Sequence, residues 1–133
     1  MKKMYFIAVL LVVLGLLVGC GSSSSEEIKE VMVGMEDNSR QINLYSSQTL
    51  VVSLEAQPST GYTWEVVELD ELILRQEGDP EFQPSGGIGA PGMQIFRFET
   101  VSAGETDLRM IYHQPWVEGV EPLETFSVHI TVL

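Results

Sequence analysis

Most of this chain alternates apolar and polar residues with a period of two, the pattern of strands that bury one face. The clearest case lies near the carboxyl end, where Phe126, Val128, Ile130 and Val132 alternate with polar residues. Turn-forming residues interrupt these runs at short intervals, and no stretch after residue 27 has the length and apolar stripe of a helix. The predicted strands span residues 30–35, 41–44, 50–55, 63–69, 72–76, 93–100, 107–112 and 125–132.

Seven or eight short strands within about 110 residues predict an all-β fold, an immunoglobulin-like antiparallel β-sandwich. An up-and-down barrel is the alternative. The sequence shows no internal repeat, and we expect one domain, residues 28–133, that exists as a monomer. Two connections, residues 79–92 and 113–122, are long for hairpin loops. Loops of that length in a compact domain are usually functional or disordered, so we expect a binding site on one or both of them.

The first 19 residues predict an export signal. Lys2 and Lys3 precede an apolar run from Tyr5 to Val18. This run is shorter than the roughly 20 residues that a membrane-spanning helix needs. It leads into the sequence LVGC at residues 17–20, which resembles the lipobox of bacterial lipoproteins. An ordinary signal peptide with an incidental cysteine, or an uncleaved helix, is the alternative.

On the lipobox interpretation, residues 1–19 are a lipoprotein signal peptide and Cys20 carries acyl chains such as palmitate. Residues 20–27, rich in serine and glutamate, are then a flexible tether. We therefore expect a protein that is exported and attached by lipid to the membrane of the cell envelope.

Acidic residues outnumber basic ones 19 to 7. Proteins that bind nucleic acid need Lys and Arg to neutralise phosphates, so this balance argues against a nucleic-acid partner. Removal of residues 1–19 takes away Lys2 and Lys3 and no acid, which changes the net charge from −12 to −14. Because that charge repels anionic lipids, the acyl chains on Cys20 would have to hold the domain to the membrane.

Cysteine and histidine are too scarce for the common catalytic and metal sites. Cys20 is the only cysteine, and His113 and His129 are the only histidines. Both histidines fall on outward-facing positions of predicted strands and can approach each other across a hairpin, but two imidazoles alone make a weak metal site. We therefore predict no catalytic residue, no metal and no cofactor.

Three loops carry residues that suit binding. Residues 57–62 form a proline-stiffened turn that ends at glycine, and residues 86–92 are glycine-rich, so that main chain can approach a partner closely. Residues 115–116 place a large aromatic side chain on a restrained turn, and tryptophan is enriched at interface hot spots. Two predicted strands separate each loop from the next, so we expect all three at one end of the sandwich.

These loops resemble those of the chagasin family of cysteine-protease inhibitors. That family's first loop reads Asn-Pro-Thr-Thr-Gly before an aromatic residue, which is similar to residues 57–62. Its second loop is glycine-rich and precedes a Phe-Arg-Phe strand, as residues 89–98 do, and its third reads Arg-Pro-Trp, similar to residues 114–116. The resemblance extends over residues 28–133. It departs from the family at Gln57, Ser59, Pro91 and Gln114, which replace Asn, Thr, Gly and Arg.

The resemblance implies a reversible, tight-binding inhibitor, and not an enzyme, whose three loops block the active-site cleft of papain-like cysteine peptidases. By analogy, Pro58–Gly61 would lie over the catalytic cysteine, while Gly89–Gly92 and Trp116 would clamp the two sides of the cleft. An envelope-anchored binding module for a non-peptidase partner is the alternative. The residues implied to contact the peptidase are Gln57, Pro58, Ser59, Thr60, Gly61, Tyr62, Gly89, Ala90, Pro91, Gly92, Gln114, Pro115 and Trp116.

Overall fold

The structure, a computed structural model, describes Gly21 and residues 27–133. Two β-sheets form a sandwich, which confirms the predicted all-β, immunoglobulin-like fold. The strands are β1 (Glu30–Val33), β2 (Gln41–Leu44), β3 (Thr49–Ala56), β4 (Thr63–Glu68), β5 (Leu74–Gln76), β6 (Glu81–Pro84), β7 (Gly92–Thr100), β8 (Gly104–His113) and β9 (Glu124–Val132). The first sheet has the order β1-β3-β7, with β5 and β6 both on the far side of β7, and the second has the order β2-β9-β8-β4.

The core lies between the two sheets and is built from the predicted alternation. Leu50, Val52 and Leu54 of β3 are fully buried, and the apolar residues of β9 face them from the second sheet. Full burial of each such side chain contributes roughly 1.5–3 kcal/mol. The residues between them are polar and lie on the outer faces, except Val51 of β3, which is apolar and buried without belonging to the core between the sheets.

The predicted antiparallel arrangement is wrong at two edges of the sandwich. β1 pairs parallel to β3, and β2 pairs parallel to β9. The chain ends β1 at Val33 and makes one 3-10 turn at Met35–Asp37 before it enters the other sheet as β2. An alternating pattern states which face of a strand is buried, but it does not state the direction of the strand's neighbour.

The segment 79–92, predicted as one long loop, contains the edge strand β6, so that the sandwich has nine strands and not seven or eight. Leu74 of β5 lies opposite Thr100 of β7, and Pro84 of β6 lies opposite Gly92. β5 and β6 therefore run in the same direction along β7, as one edge strand that a turn at residues 77–80 interrupts. A proline argues against a central strand and is tolerated in edge strands. The sequence pattern therefore predicts a loop around Pro84, where the structure has the edge strand β6.

The predicted signal peptide, the lipidation site and all of the tether except Gly21 and Glu27 lie outside the described residues. Among the residues that are described, no helix is long and apolar enough to cross a membrane.

A candidate protein-binding edge

The first of three loops at one end of the sandwich, residues 57–62 between β3 and β4, is closed by its own main chain. Pro58–Thr60 form one 3-10 turn, and the amide of Gly61 donates to the carbonyl of Pro58 at 3.0 Å. Gly61 ends the turn with φ +79°, a conformation that favours glycine. The Thr60 hydroxyl donates to the carbonyl of Gln57 at 2.6 Å. The loop therefore presents its exposed Pro58 and Ser59 on a hydrogen-bonded frame.

An aromatic cluster supports this loop from below. The hydroxyl of Tyr112 accepts a hydrogen bond from the amide of Gln57 at 3.0 Å. The Tyr112 ring packs between Tyr62 and Trp64, with centroid distances of 5.3 and 5.1 Å. The buried indole of Trp64 donates to the carbonyl of Glu55 at 2.9 Å. Sequence reasoning placed Tyr112 on a strand but missed its role beneath the turn, since the contact joins residues 55 positions apart.

Two glutamine side chains tie the three loops together. The amide group of Gln57 donates to the carbonyl of Gly89 in the second loop (residues 85–91) at 2.7 Å. The amide group of Gln114 in the third loop (residues 114–123) donates to the carbonyl of Thr60 at 3.0 Å. The prediction that the three loops share one end of the sandwich is therefore confirmed, and we call this end the loop edge. Both glutamines are among the departures from the family pattern.

Trp116 stands over the first loop with its indole mostly in solvent. A Cβ atom at position 61 would overlap the Cη2 and Cζ2 atoms of Trp116, so only glycine leaves room for the ring. The residue is 68% exposed, so Trp116 does not fill the core. Neighbouring Pro115 is also exposed. The edge thus offers a large aromatic surface that is already held in place.

The second loop places Gly89 and Pro91 at the surface, with Ala90 partly buried. Ile88 at its tip is fully exposed, and a shallow hollow beside it is lined by Pro58 and Ser59 of the first loop. Gly92 differs from the rest of the predicted contact set, because it begins β7 and is buried. A Cβ atom there would overlap the Gln83 carbonyl and the Phe82 ring, so internal packing explains this glycine.

The two histidines do not meet, which corrects the expectation that they approach each other across a hairpin. His129 lies opposite Asp107, six positions from His113 along β8, a separation of about 20 Å. Each imidazole instead pairs with a carboxylate: His113 with Glu65 at 2.6 Å and His129 with Asp107 at 2.7 Å.

The hydrogen bond that His129 makes to Asp107, helped by the charges of Asp107 and Glu105, raises the pKa of His129 above its ordinary value of 6.5. Within residues 27–133, no three His, Cys, Asp or Glu side chains are grouped so that they could hold a metal ion. His129 therefore lies on the outer face of the second sheet, remote from the loop edge, whereas His113 ends β8 beside the third loop and lines a small hollow with Val117 and Val120.

Comparison with known sequences gives two kinds of match. Residues 43–130 match the family model described as chagasin family peptidase inhibitor I42. Amoebiasin-2 from Entamoeba histolytica is 26% identical over 104 residues, which cover 77% of this chain and 84% of that protein. Amoebiasin-1 from the same organism is 23% identical over 97 residues, which cover 73% of this chain and 94% of that protein.

Solved structures share the fold. The crystal structure of the cysteine protease inhibitor EhICP2 from Entamoeba histolytica superposes with a TM-score of 0.70 at 17% identity, covering 78% of this chain and 95% of that one. PbICP-C, solved in complex with falcipain-2, gives a TM-score of 0.54 at 17% identity, covering 79% of this chain and 99% of that one.

Proposed function

The chain belongs to the chagasin family of peptidase inhibitors, and on that premise we propose that its loop edge is the inhibitory surface, directed at papain-like cysteine peptidases. The protein acts as an inhibitor and not as an enzyme. Its relative PbICP-C was solved with falcipain-2 bound, which supports a cysteine peptidase as the partner here.

One observation carries the assignment of the surface: side chains from two loops fix the three loops to one another. Gln57 holds the second loop to the first, and Gln114 holds the third loop to the first. Loops that are already ordered lose little conformational entropy on binding, so more of the contact energy appears as affinity. Trp116 adds an exposed aromatic side chain of the kind that dominates interface energetics.

The proposed mechanism is steric. Pro58–Gly61 lies over the catalytic cysteine of the peptidase, and Gly89–Pro91 and Trp116 contact the two sides of its cleft. The main chain of the first loop is folded into a 3-10 turn, whereas a substrate must lie extended across a cleft to be cut. The turn therefore fills the path of the substrate and is not cleaved.

Titration of papain with the purified protein tests this proposal. We expect reversible inhibition that follows 1:1 stoichiometry, with peptide substrate and inhibitor competing for the enzyme. Absence of inhibition at micromolar concentration, with the inhibitor shown to be folded by circular dichroism, would contradict the proposal.

We also propose that Cys20 is acylated and that the lipid holds the protein to the envelope as a monomer. The start of the sandwich supports this arrangement, because β1 begins at the end remote from the loop edge. Glu30 pairs with Thr49, at the opposite end of β3 from Ala56. The side chain of Gln48 donates to the carbonyl of Ile28 at 2.7 Å, which fixes where the chain enters the domain. A tether that ends there leaves the loop edge directed away from the membrane.

Growth of a bacterial host with labelled palmitate tests the acylation. We expect label in the membrane-bound wild-type protein and none in Cys20→Ala, which should lose its membrane attachment. Label in the Cys20→Ala variant, or an unlabelled wild-type protein, would contradict the proposal.

A further inference from the structure

The third loop continues beyond Trp116 with apolar side chains that the fold leaves in solvent. Val120 is 69% exposed and Leu123 is 63% exposed, and Val117 lies beside them at 38%. Isolated exposed apolar residues are ordinary, whereas three on one loop offer an apolar surface that a partner can cover. The family's Arg-Pro-Trp motif corresponds only to residues 114–116 of this loop, so the motif does not account for these side chains.

The structure fixes this segment at both ends. The amide of Val117 donates to the carbonyl of Gln114 at 3.1 Å, and the amide of Leu123 donates to the carbonyl of Tyr112 at 2.9 Å. Val117 and Val120 line a small hollow together with Tyr62 of the first loop. The apolar segment is therefore continuous with the loop edge.

The absence of Lys and Arg distinguishes this end of the sandwich from the remainder. The half that carries the loops comprises residues 53–66, 81–95 and 110–126, which lie on the loop side of the paired positions Ser53–Ile95 and Met110–Phe126. These ranges contain no Lys or Arg. Their six acidic residues are Glu55, Glu65, Glu81, Glu118, Glu121 and Glu124.

All five basic residues that follow Cys20 lie outside this half. Three of them are already neutralised by ion pairs there: Arg40 with Asp37, Arg75 with Glu99, and Arg97 with Glu30. The six acids of the loop half therefore have no Lys or Arg in that half to balance them, and one of the six, Glu65, contacts His113. Glu118 and Glu121 stand exposed among the apolar side chains of the third loop.

We propose that residues 117–123 form an additional contact surface for the peptidase, one that selects enzymes whose cleft wall is apolar and rimmed by Lys and Arg. Val120 and Leu123 pack on the apolar wall, and Glu118 and Glu121 pair with the basic rim. This inference rests on the proposed function and specifies its target. Complementary charge accelerates association and suppresses partners of like charge, whereas buried apolar contacts slow dissociation.

A second copy of this chain does not fit the same surface. Two loop halves that face each other would bring twelve carboxylates together with no Lys or Arg between them, since each copy contributes six acids. Like charges in apposition disfavour association. The patch therefore suits a basic partner and not self-association.

Association kinetics of the full chain, purified in detergent, test the charge. The probes are papain-like peptidases that differ in the charge of the cleft rim. We expect the association rate constant to rank with positive rim charge and to fall roughly tenfold between low and high salt for a basic enzyme. The variant Glu118→Gln/Glu121→Gln, which removes two of the six acids of the loop half, should weaken this dependence clearly. Its matched control, Glu68→Gln/Glu71→Gln, makes the same change in net charge at the opposite end and should retain it.

Dissociation kinetics test the apolar contact. Val120→Ala/Leu123→Ala should dissociate roughly tenfold faster from the same enzyme. The control Leu72→Ala/Val101→Ala, which truncates exposed apolar residues at the opposite end, should dissociate like the wild type. Because all four side chains are exposed, the free energy of unfolding should change little in either variant.

Three results would overturn the inference: salt-independent association, equal behaviour of each variant and its control, or dimers of the free protein that the Val120→Ala/Leu123→Ala variant abolishes. Inhibition that persists with these results would leave the proposed function intact and remove only the selectivity. Absence of inhibition with every enzyme and at every salt concentration would overturn both.

Discussion

The indole of Trp116 occupies the space that a side chain at position 61 would fill. Gly61 also has φ +79°. This one glycine therefore ends the 3-10 turn of the first loop and leaves room for the aromatic side chain of the third loop. The two loops are therefore coupled sterically as well as through the hydrogen bond from Gln114 to Thr60. A side chain introduced at position 61 should displace the indole of Trp116, even though 55 positions separate the two residues.

Substitution Gly61→Ala should weaken inhibition by displacing Trp116. An alanine at positive φ costs roughly 1–2 kcal/mol of stability by itself. The control Gly78→Ala has nearly the same backbone strain, with φ +70°, but nothing lies near its Cβ. Urea unfolding should show similar losses of stability for both variants, while only Gly61→Ala weakens inhibition of papain. Equal inhibition by the two variants would show that the position of Trp116 against Gly61 does not contribute to inhibition.

Truncation Trp116→Ala should reduce binding to the peptidase by about 2 kcal/mol, the usual loss at an interface hot spot. The free energy of unfolding should change little, because the side chain is mostly in solvent. Leu72→Ala removes another exposed apolar side chain, at the opposite end of the sandwich, and should leave the inhibition constant unchanged. An inhibition constant that does not move with Trp116→Ala would contradict the proposed contact.

Substitution Tyr112→Phe should loosen the first loop. It removes the acceptor of the Gln57 amide while it keeps the ring that packs between Tyr62 and Trp64. An amide left without its partner costs about 1–3 kcal/mol, which urea unfolding can measure. Tyr45→Phe alters a tyrosine that is 64% exposed and serves as the control. Faster hydrogen exchange of the Gln57 amide should accompany the loss; unaltered exchange would count against this role of the hydroxyl.

The ion pair of His129 should make stability depend on pH. The pKa of His129 is raised in the folded state, chiefly by the hydrogen bond with Asp107. The stabilisation that this ion pair gives the folded protein is therefore fully present below pH 6.5, the ordinary pKa of histidine. That contribution is lost as the pH rises through the elevated folded pKa. Asp107→Asn should therefore destabilise the protein more at pH about 5.5 than at pH about 9. Urea unfolding at the two pH values checks this, and an equal effect at both would contradict it.

The sequence alone predicts the parts of this structure that depend on which face of a strand is buried. The alternation in β3, β8 and β9 identifies the core and the shared end of the three loops. The count of strands between the first two loops omits β6, yet β5 and β6 run in the same direction, so the second loop still emerges where it was expected.

Other parts depend on contacts between distant segments, and no local pattern encodes them. The parallel pairing of β1 and β2 is one example. The links from Gln57 to Gly89 and from Gln114 to Thr60 are another, because a glutamine in a loop has no local signal that names its acceptor. The exposure of Val120 and Leu123 likewise follows from where the third loop folds and not from its composition.

The interrupted edge formed by β5 and β6 also limits how two of these molecules can pair edge to edge. An open margin of a sheet is a template on which a neighbouring chain can add a strand, the first step towards aggregation. Pro80 and Pro84 have no amide hydrogen to offer such a neighbour, and the turn at Gly78 breaks the row of donors. Copies of the protein at high concentration would therefore meet at a margin that resists edge-to-edge growth.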